Sequence, residues 1–291
     1  MRLWLAIWFA LAVGLAQEPP PRAEEEIPID FTCPMDKDVK AKGPGKCPRC
    51  GMKLVANLPD HVEYPLEIKT QPRVVEAGKP VEFTFEVRHP RTGELVKDFE
   101  IVHEKIYHLF LVSQDLDFFA HEHPAAGPDG IYRFRTTLPR PGAYRIVSDF
   151  YPKDGTPQFL VKSLLTRGTT RERLAGVPKL QADLGPQQGE NLKVELVMEP
   201  PQPIAGKETL LFFRLSTAEG IEQYLGAWGH MLVASDDLID VIHDHPLYTT
   251  LPQIQFNVLF PREAVYRVWV QFQRNSVVNT VAFTVPVKAL R

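Results

Sequence analysis

Two stretches of this chain are copies of each other, and that repeat constrains the fold more than any other feature. Setting residue i against i+122 pairs His108 with His230, Ser113 with Ser235, and Asp115-Leu116 with Asp237-Leu238. It also pairs His121, His123 and Pro124 with His243, His245 and Pro246. The match runs on through Pro139-Arg140, Tyr144-Arg145 and Phe150 to Pro261-Arg262, Tyr266-Arg267 and Phe272, so thirteen of the 43 positions from His108 to Phe150 are identical. With a six-residue shift, Ala77-Gly78-Lys79 meets Ala205-Gly206-Lys207. Each copy must therefore be a folding unit of about a hundred residues.

Inside each copy, apolar and polar residues alternate in short runs. The first holds VEFTFEV (81–87), KIYHLFLV (105–112), IYRFRTTL (131–138) and AYRIVSDF (143–150); the second holds LKVELVM, TLLFFRL, HMLVAS, IQFNVLF and VYRVWVQF. Period-two alternation rich in β-branched and aromatic residues, broken by turns, predicts antiparallel strands packed as a sandwich. An excess of 27 prolines over 18 glycines favours turns over long helices. The copies occupy 57–168 and 190–291, joined by a linker at 169–189.

The opening residues follow a different logic. Arg2, an apolar stretch from Leu3 to Ala16 and small residues at Gly14 and Ala16 make residues 1–16 a signal peptide. The stretch is shorter than the roughly 20 residues that span a bilayer, although Trp4 and Trp8 leave an uncleaved anchor as the alternative. Residues 17–30 (QEPPPRAEEEIPID) are a Pro/Glu-rich linker that cannot bury apolar area. A periplasmic or secreted protein with no membrane span after cleavage is expected. The net charge of −3, with no long basic run, excludes the electrostatic footprint of a nucleic-acid binder.

All three cysteines, Cys33, Cys47 and Cys50, fall inside one 18-residue window. An odd, clustered set is a poor disulfide framework and a better metal site. Cys47-x-x-Cys50 brings two thiolates to one ion, Gly51 relieves the backbone, and Cys33 supplies a third sulfur. Met35 and Met52 add thioethers, and thiolate with thioether selects Cu(I) or Ag(I). A structural zinc knuckle and a Cys47–Cys50 disulfide are the competing readings.

The segment FTCPMDKDVKAKGPGKCPRCGMKLV (31–55) resembles the heavy-metal-binding domain at the head of periplasmic efflux adaptors and some copper-transporting ATPases. That family carries Tyr-x-Cys-Pro-Met-His-Pro and then Pro-Gly-x-Cys-Pro-x-Cys-Gly-Met. Cys33, Met35, Cys47, Cys50 and Met52 match; Asp36 stands where the family has His, and offers an oxygen ligand instead. The fold class is accordingly mainly β: a small metal-binding knuckle (31–56) followed by two tandem Ig-like antiparallel β-sandwich domains.

Six of the nine histidines obey one template. If Gln114-Asp115 is a two-residue hairpin loop, His108 faces His121 at a Cβ separation of about 5 Å, and His123 returns to the same face. His230, His243 and His245 do the same around Asp236-Asp237. A set of three imidazoles suits Cu(II) or Zn(II), and Pro124 and Pro246 end the strand to leave a rim open to metal. Packing or hairpin hydrogen bonding is the plainer reading of a repeated histidine. His103 is a further candidate ligand in the first copy, but its counterpart is Leu225. Met231, Trp228 and Phe118-Phe119 read as core or hairpin packing.

The stretch KIYHLFLVSQDLDFFAHEHP with the following PGAYRI is also similar to a group of exported β-sandwich proteins often linked to heavy-metal-binding domains. That likeness implies fold and compartment more than chemistry. The leading expectation is an exported heavy-metal protein, with copper favoured over zinc, for sequestration or delivery. Metal ions are its partners, together with a metal-efflux or delivery component, and it is not an enzyme. Two other classes compete: an interaction protein with a structural zinc knuckle, and a His-metal hydrolase using Glu122, Asp149 or Asp244 as base. The chain has no HExxH and no serine elbow, and no long helical hairpin of an efflux adaptor.

Overall fold

The computed structural model describes residues 31–36, 39–56, 62–153, 155–176 and 178–290. The signal peptide and linker expected at 1–30 lie outside the described residues.

A knuckle opens the described chain, with short strands β1 (Phe31–Thr32), β2 (Lys40–Ala41) and β3 (Val55–Ala56) in the order β2-β1-β3. Cys33, Cys47 and Leu54 form its small core. The first sandwich follows. One sheet holds β4 (Leu66–Gln71), β5 (Pro80–Val87), β8 (Ala125–Ala126) and β9 (Tyr132–Thr137), in the order β4-β5-β9-β8. The other holds β6 (Tyr107–Ser113), β7 (Phe119–Glu122), β10 (Ala143–Phe150) and β11 (Gln158–Leu165), in the order β11-β10-β6-β7. A five-residue helix, α1 (Arg171–Ala175), is capped by Thr170.

The second sandwich repeats this plan. One sheet runs β12 (Gln187–Gln188), β13 (Lys193–Glu199), β14 (Glu208–Leu215), β19 (Gln253–Leu259), β18 (Tyr248–Thr250). In the other, β20 (Ala264–Arg274) pairs with β16 (His230–Ser235) and β21 (Val277–Val287), while β15 (Ile221–Glu222) meets its end and β17 (Val241–Asp244) flanks β16. Both copies carry a tyrosine corner: the Tyr144 hydroxyl donates to the Arg140 carbonyl at 2.7 Å, and Tyr266 to Arg262 at 3.0 Å.

Every residue of β6 is buried, and so is every residue of β16. Two different partners cause this. Tyr107, Leu109 and Leu111 face their own sandwich core with Phe83, Phe85 and Phe150. The alternate residues, Phe110 and Val112, join Leu116 and Val147 in a third cluster with Leu232, Ala234, Leu238 and Trp269 of the second sandwich. Phe119 stacks on Trp269 with ring centroids 5.1 Å apart. The two sandwiches therefore pack through the outer faces of their histidine-bearing sheets, which explains why KIYHLFLV is nearly continuously apolar.

The hairpin register differs from the expected one. Phe110 pairs with His121 and Leu109 with Glu122, so His108 does not sit directly opposite His121. The loop has four residues, Gln114 to Asp117, because Asp115 accepts from the Ser113 hydroxyl at 2.5 Å and the Asp117 amide at 3.3 Å while Leu116 takes a left-handed φ of 60°. The second copy makes the same change, with Leu232 opposite His243 and Leu238 at φ 55°. A two-residue slip keeps every side chain on its face, so the imidazoles still converge.

Candidate metal centres

In the knuckle, Cys33, Asp36, Cys47 and Cys50 bring three sulfurs and a carboxylate oxygen within 4.8 Å of one another. Cys33 Sγ lies 3.4 Å from Cys50 Sγ, and Asp36 Oδ2 lies 3.2 Å from Cys47 Sγ. Sulfurs sharing a tetrahedral ion at ~2.3 Å stand about 3.8 Å apart, so the set is near binding dimensions. Gly51, at φ 75°, lets the chain turn so that the Cys47 amide donates to the Met52 carbonyl at 2.7 Å. The cysteines are free thiols and form no disulfide with one another.

The protons in this cluster are unevenly shared. Hydrogen bonds from Cys33 and Cys50 hold Cys47 far below the ordinary thiol range, while the Cys47 contact and burial push Cys33 up to about 12, and contacts with Cys33 and Cys47 together with burial raise Cys50. Burial raises Asp36 to about 6 although Arg49 Nη1 pairs with its Oδ1 at 3.2 Å. An ion binding here displaces the remaining thiol protons.

The first histidine triad has its tautomers set from outside. A backbone carbonyl can only accept, so His108 Nε2 donates to Val102 O at 3.1 Å and its Nδ1 carries a lone pair. Gln271 gives its amide nitrogen to Thr280 Oγ1, and its Oε1 accepts from His121 Nδ1 at 2.7 Å, which leaves a lone pair on His121 Nε2. These two lone pairs face each other at 3.2 Å. Nitrogens sharing a tetrahedral ion at 2.0–2.1 Å stand about 3.3 Å apart. His123 Nε2 is buried without a partner, and the three rings each bring one nitrogen within 4.8 Å of the others.

The second triad offers the same three atoms. His230 Nε2 donates to Tyr224 O at 2.8 Å, freeing Nδ1, which His245 Nε2 approaches at 3.1 Å. His243 Nδ1 donates to Asp149 Oδ2 at 2.6 Å, and its Nε2 is buried without a partner. Asp149 and Gln271 occupy equivalent positions of the repeat, so each sandwich supplies the outer hydrogen bond to the other's triad. Such contacts fix ring orientation and raise ligand basicity.

Burial keeps His108, His121, His123, His230 and His245 neutral. It lowers His108 to about 4 and His123 to about 3, with neighbouring imidazoles adding to the effect, and it drives His121, His230 and His245 well below 6.5. A proton is thus a poor bridge between His108 and His121, whereas a metal ion suits two converging lone pairs.

Ten of the twelve residues singled out from sequence lie in three groups. Cys33, Asp36, Cys47 and Cys50 form one group and each histidine triad another. Met35 packs against the knuckle core and Met52 is buried. Met231 is core, and Phe118 stacks edge-on to Tyr144. Sequence reasoning missed the orienting roles of Asp149 and Gln271. The available signal was a polar residue interrupting SDF and VQF at one repeat position.

A thiol knuckle ahead of two imidazole-bearing β-sandwiches defines a heavy-metal-binding protein, and the family described as heavy metal binding domain matches residues 31–57. The family described as domain of unknown function (DUF8832) matches twice, at 60–162 and 187–289, and the chain belongs to it. No curated protein matches. Among solved structures the chain is similar to three N-terminal domains of the bacteriophage RB49 outer capsid protein Hoc, at 11% identity and a TM-score of 0.23, spanning 77% of this chain and 59% of that one. It is also similar to the Escherichia coli adhesin FdeC (12%, TM-score 0.25, 81% and 67%) and to two fibronectin type III domains of chicken tenascin (9%, TM-score 0.23, 77% and 99%). Among the described residues no helix is long and apolar enough to cross a membrane.

Proposed function

We propose that this protein is an exported copper-binding protein for sequestration or delivery, taking Cu(I) at the cysteine knuckle and Cu(II) at the histidine triads. The observation that carries the reading is the pair of lone pairs on His108 and His121, held 3.2 Å apart by hydrogen bonds that point both rings inward. Three imidazoles suit Cu(II) or Zn(II), with copper ahead in intrinsic affinity, and clustered thiols suit Cu(I). Export is supported by the apolar stretch with small residues at 1–16. A metal-efflux or delivery component is the proposed partner.

The protein acts by binding and not by turnover in this reading. Asp149, a candidate base in a hydrolytic reading, is engaged by His243 Nδ1 and serves as an orienting group. A second reading, a zinc-stapled interaction protein, draws on Cys33 and Cys47 forming the knuckle's core. The deciding experiment measures Cu(I), Cu(II) and Zn(II) stoichiometry and affinity on the reduced, anaerobic protein. Cys47→Ser should remove Cu(I) alone and His121→Ala/His123→Ala should remove one Cu(II). Zinc at the cysteines and nothing at the histidines would establish the second reading.

A further inference from the structure

His103 is the one imidazole of the cluster that the repeat does not explain. Both copies make the same left-handed turn, with His103 at φ 48° and Leu225 at φ 51°, and the same backbone bridge, Val102 to Lys105 and Tyr224 to Ala227. The turn belongs to the fold; the imidazole does not, since a leucine serves equally in the other copy. His103 is 6% exposed and its Nε2 is buried with no hydrogen-bond partner, a cost that an apolar residue avoids. Its ring stacks on His245 with centroids 3.7 Å apart and meets His230 edge-on at 5.7 Å.

Three modules meet at this ring. A cavity of about 270 Å³ is lined by Pro48 and Arg49 of the cysteine knuckle, by His103 of the first sandwich, and by Trp228, His245 and Pro246 of the second. Pro48 and Arg49 are the two residues between Cys47 and Cys50.

We propose that His103 is the exchange ligand through which a metal ion passes between the cysteine centre and the His230/His243/His245 triad. This rests on both centres binding metal. A bond from a cysteine sulfur to the ion gives way to one from the neutral His103 imidazole, which has a lone pair to offer without losing a proton. That bond in turn gives way to one from His245 Nε2. The released thiolate takes a proton from water, and the ion that moves is divalent, Zn(II) or Co(II), which thiolate and imidazole both bind without a change of oxidation state.

The test uses the full chain loaded with Co(II), whose sulfur charge-transfer band and visible bands separate thiolate from imidazole coordination. EDTA is then added, and loss from each centre is followed. His103→Leu, the residue the other copy already accommodates, should leave the amount bound unchanged and slow the loss from the second triad at least tenfold, with the first triad unaffected. Cys47→Ser should slow the same phase. An unchanged second-triad rate in His103→Leu, with both centres loaded, overturns the exchange role alone. Failure of the wild-type chain to load either centre overturns that role together with the metal-binding reading of that centre.

Discussion

The two histidine triads present the same three nitrogens and differ in what stands behind them. His243 leans on the carboxylate of Asp149, while His121 leans on the neutral amide of Gln271. Asp149 is 6% exposed, so its charge is costly unless something positive balances it. A divalent ion on the far side of the His243 ring would supply that balance, and the first triad has no equivalent. Two copies of one ligand set would thus become two sites of different strength, the second favouring the more highly charged ion.

The strongest way to break the comparison is to delete a triad. His121→Ala/His123→Ala should abolish divalent binding at the first site and leave the second occupied, and His243→Ala/His245→Ala the reverse; titration calorimetry should register one ion fewer in each case. Trp269→Ala removes the ring under Phe119 and opens a void in the shared cluster, at a cost of about 3–5 kcal/mol in denaturant unfolding. Both triads should weaken together, because both depend on that packing.

Finer substitutions sharpen the contrast. Asp149→Asn, made in the first sandwich, should weaken divalent binding at the second sandwich's triad by about 10–100-fold and leave the first triad unchanged. Gln271→Glu should strengthen the first triad by several-fold and narrow the gap. The smallest effect concerns pH. Imidazoles lowered to about 3–4 in the fold from 6.5 let the unfolded chain take up protons first, so stability is complete above pH 6.5 and falls as pH drops towards 4. Metal-free protein followed by thermal unfolding from pH 8 to 4 should show this loss, and saturating metal should raise the unfolding temperature over the upper part of that range.

Much of this arrangement was legible in the sequence. The repeat gave the two sandwiches, and period-two counting placed His108, His121 and His123 on one face. The register was not legible, because the loop's length depends on Leu116 adopting a left-handed conformation that leucine does not advertise. Parity rescued the site: a slip of two residues preserves the face, whereas a slip of one would have scattered the ligands. The orienting roles of Asp149 and Gln271, and the contact of His103 with the second triad, were hidden for a different reason. Each acts on a triad belonging to the other sandwich, and no local pattern records how two domains dock.

The crossed support between Asp149 and Gln271 also bears on why the two sandwiches share one chain. In a symmetric homodimer of a single copy, one gene position would have to serve both sites, and the two could never differ. Fusion into one polypeptide releases that constraint. It would let one protein hold a strong and a weak site side by side, each completed by the half that does not contain it.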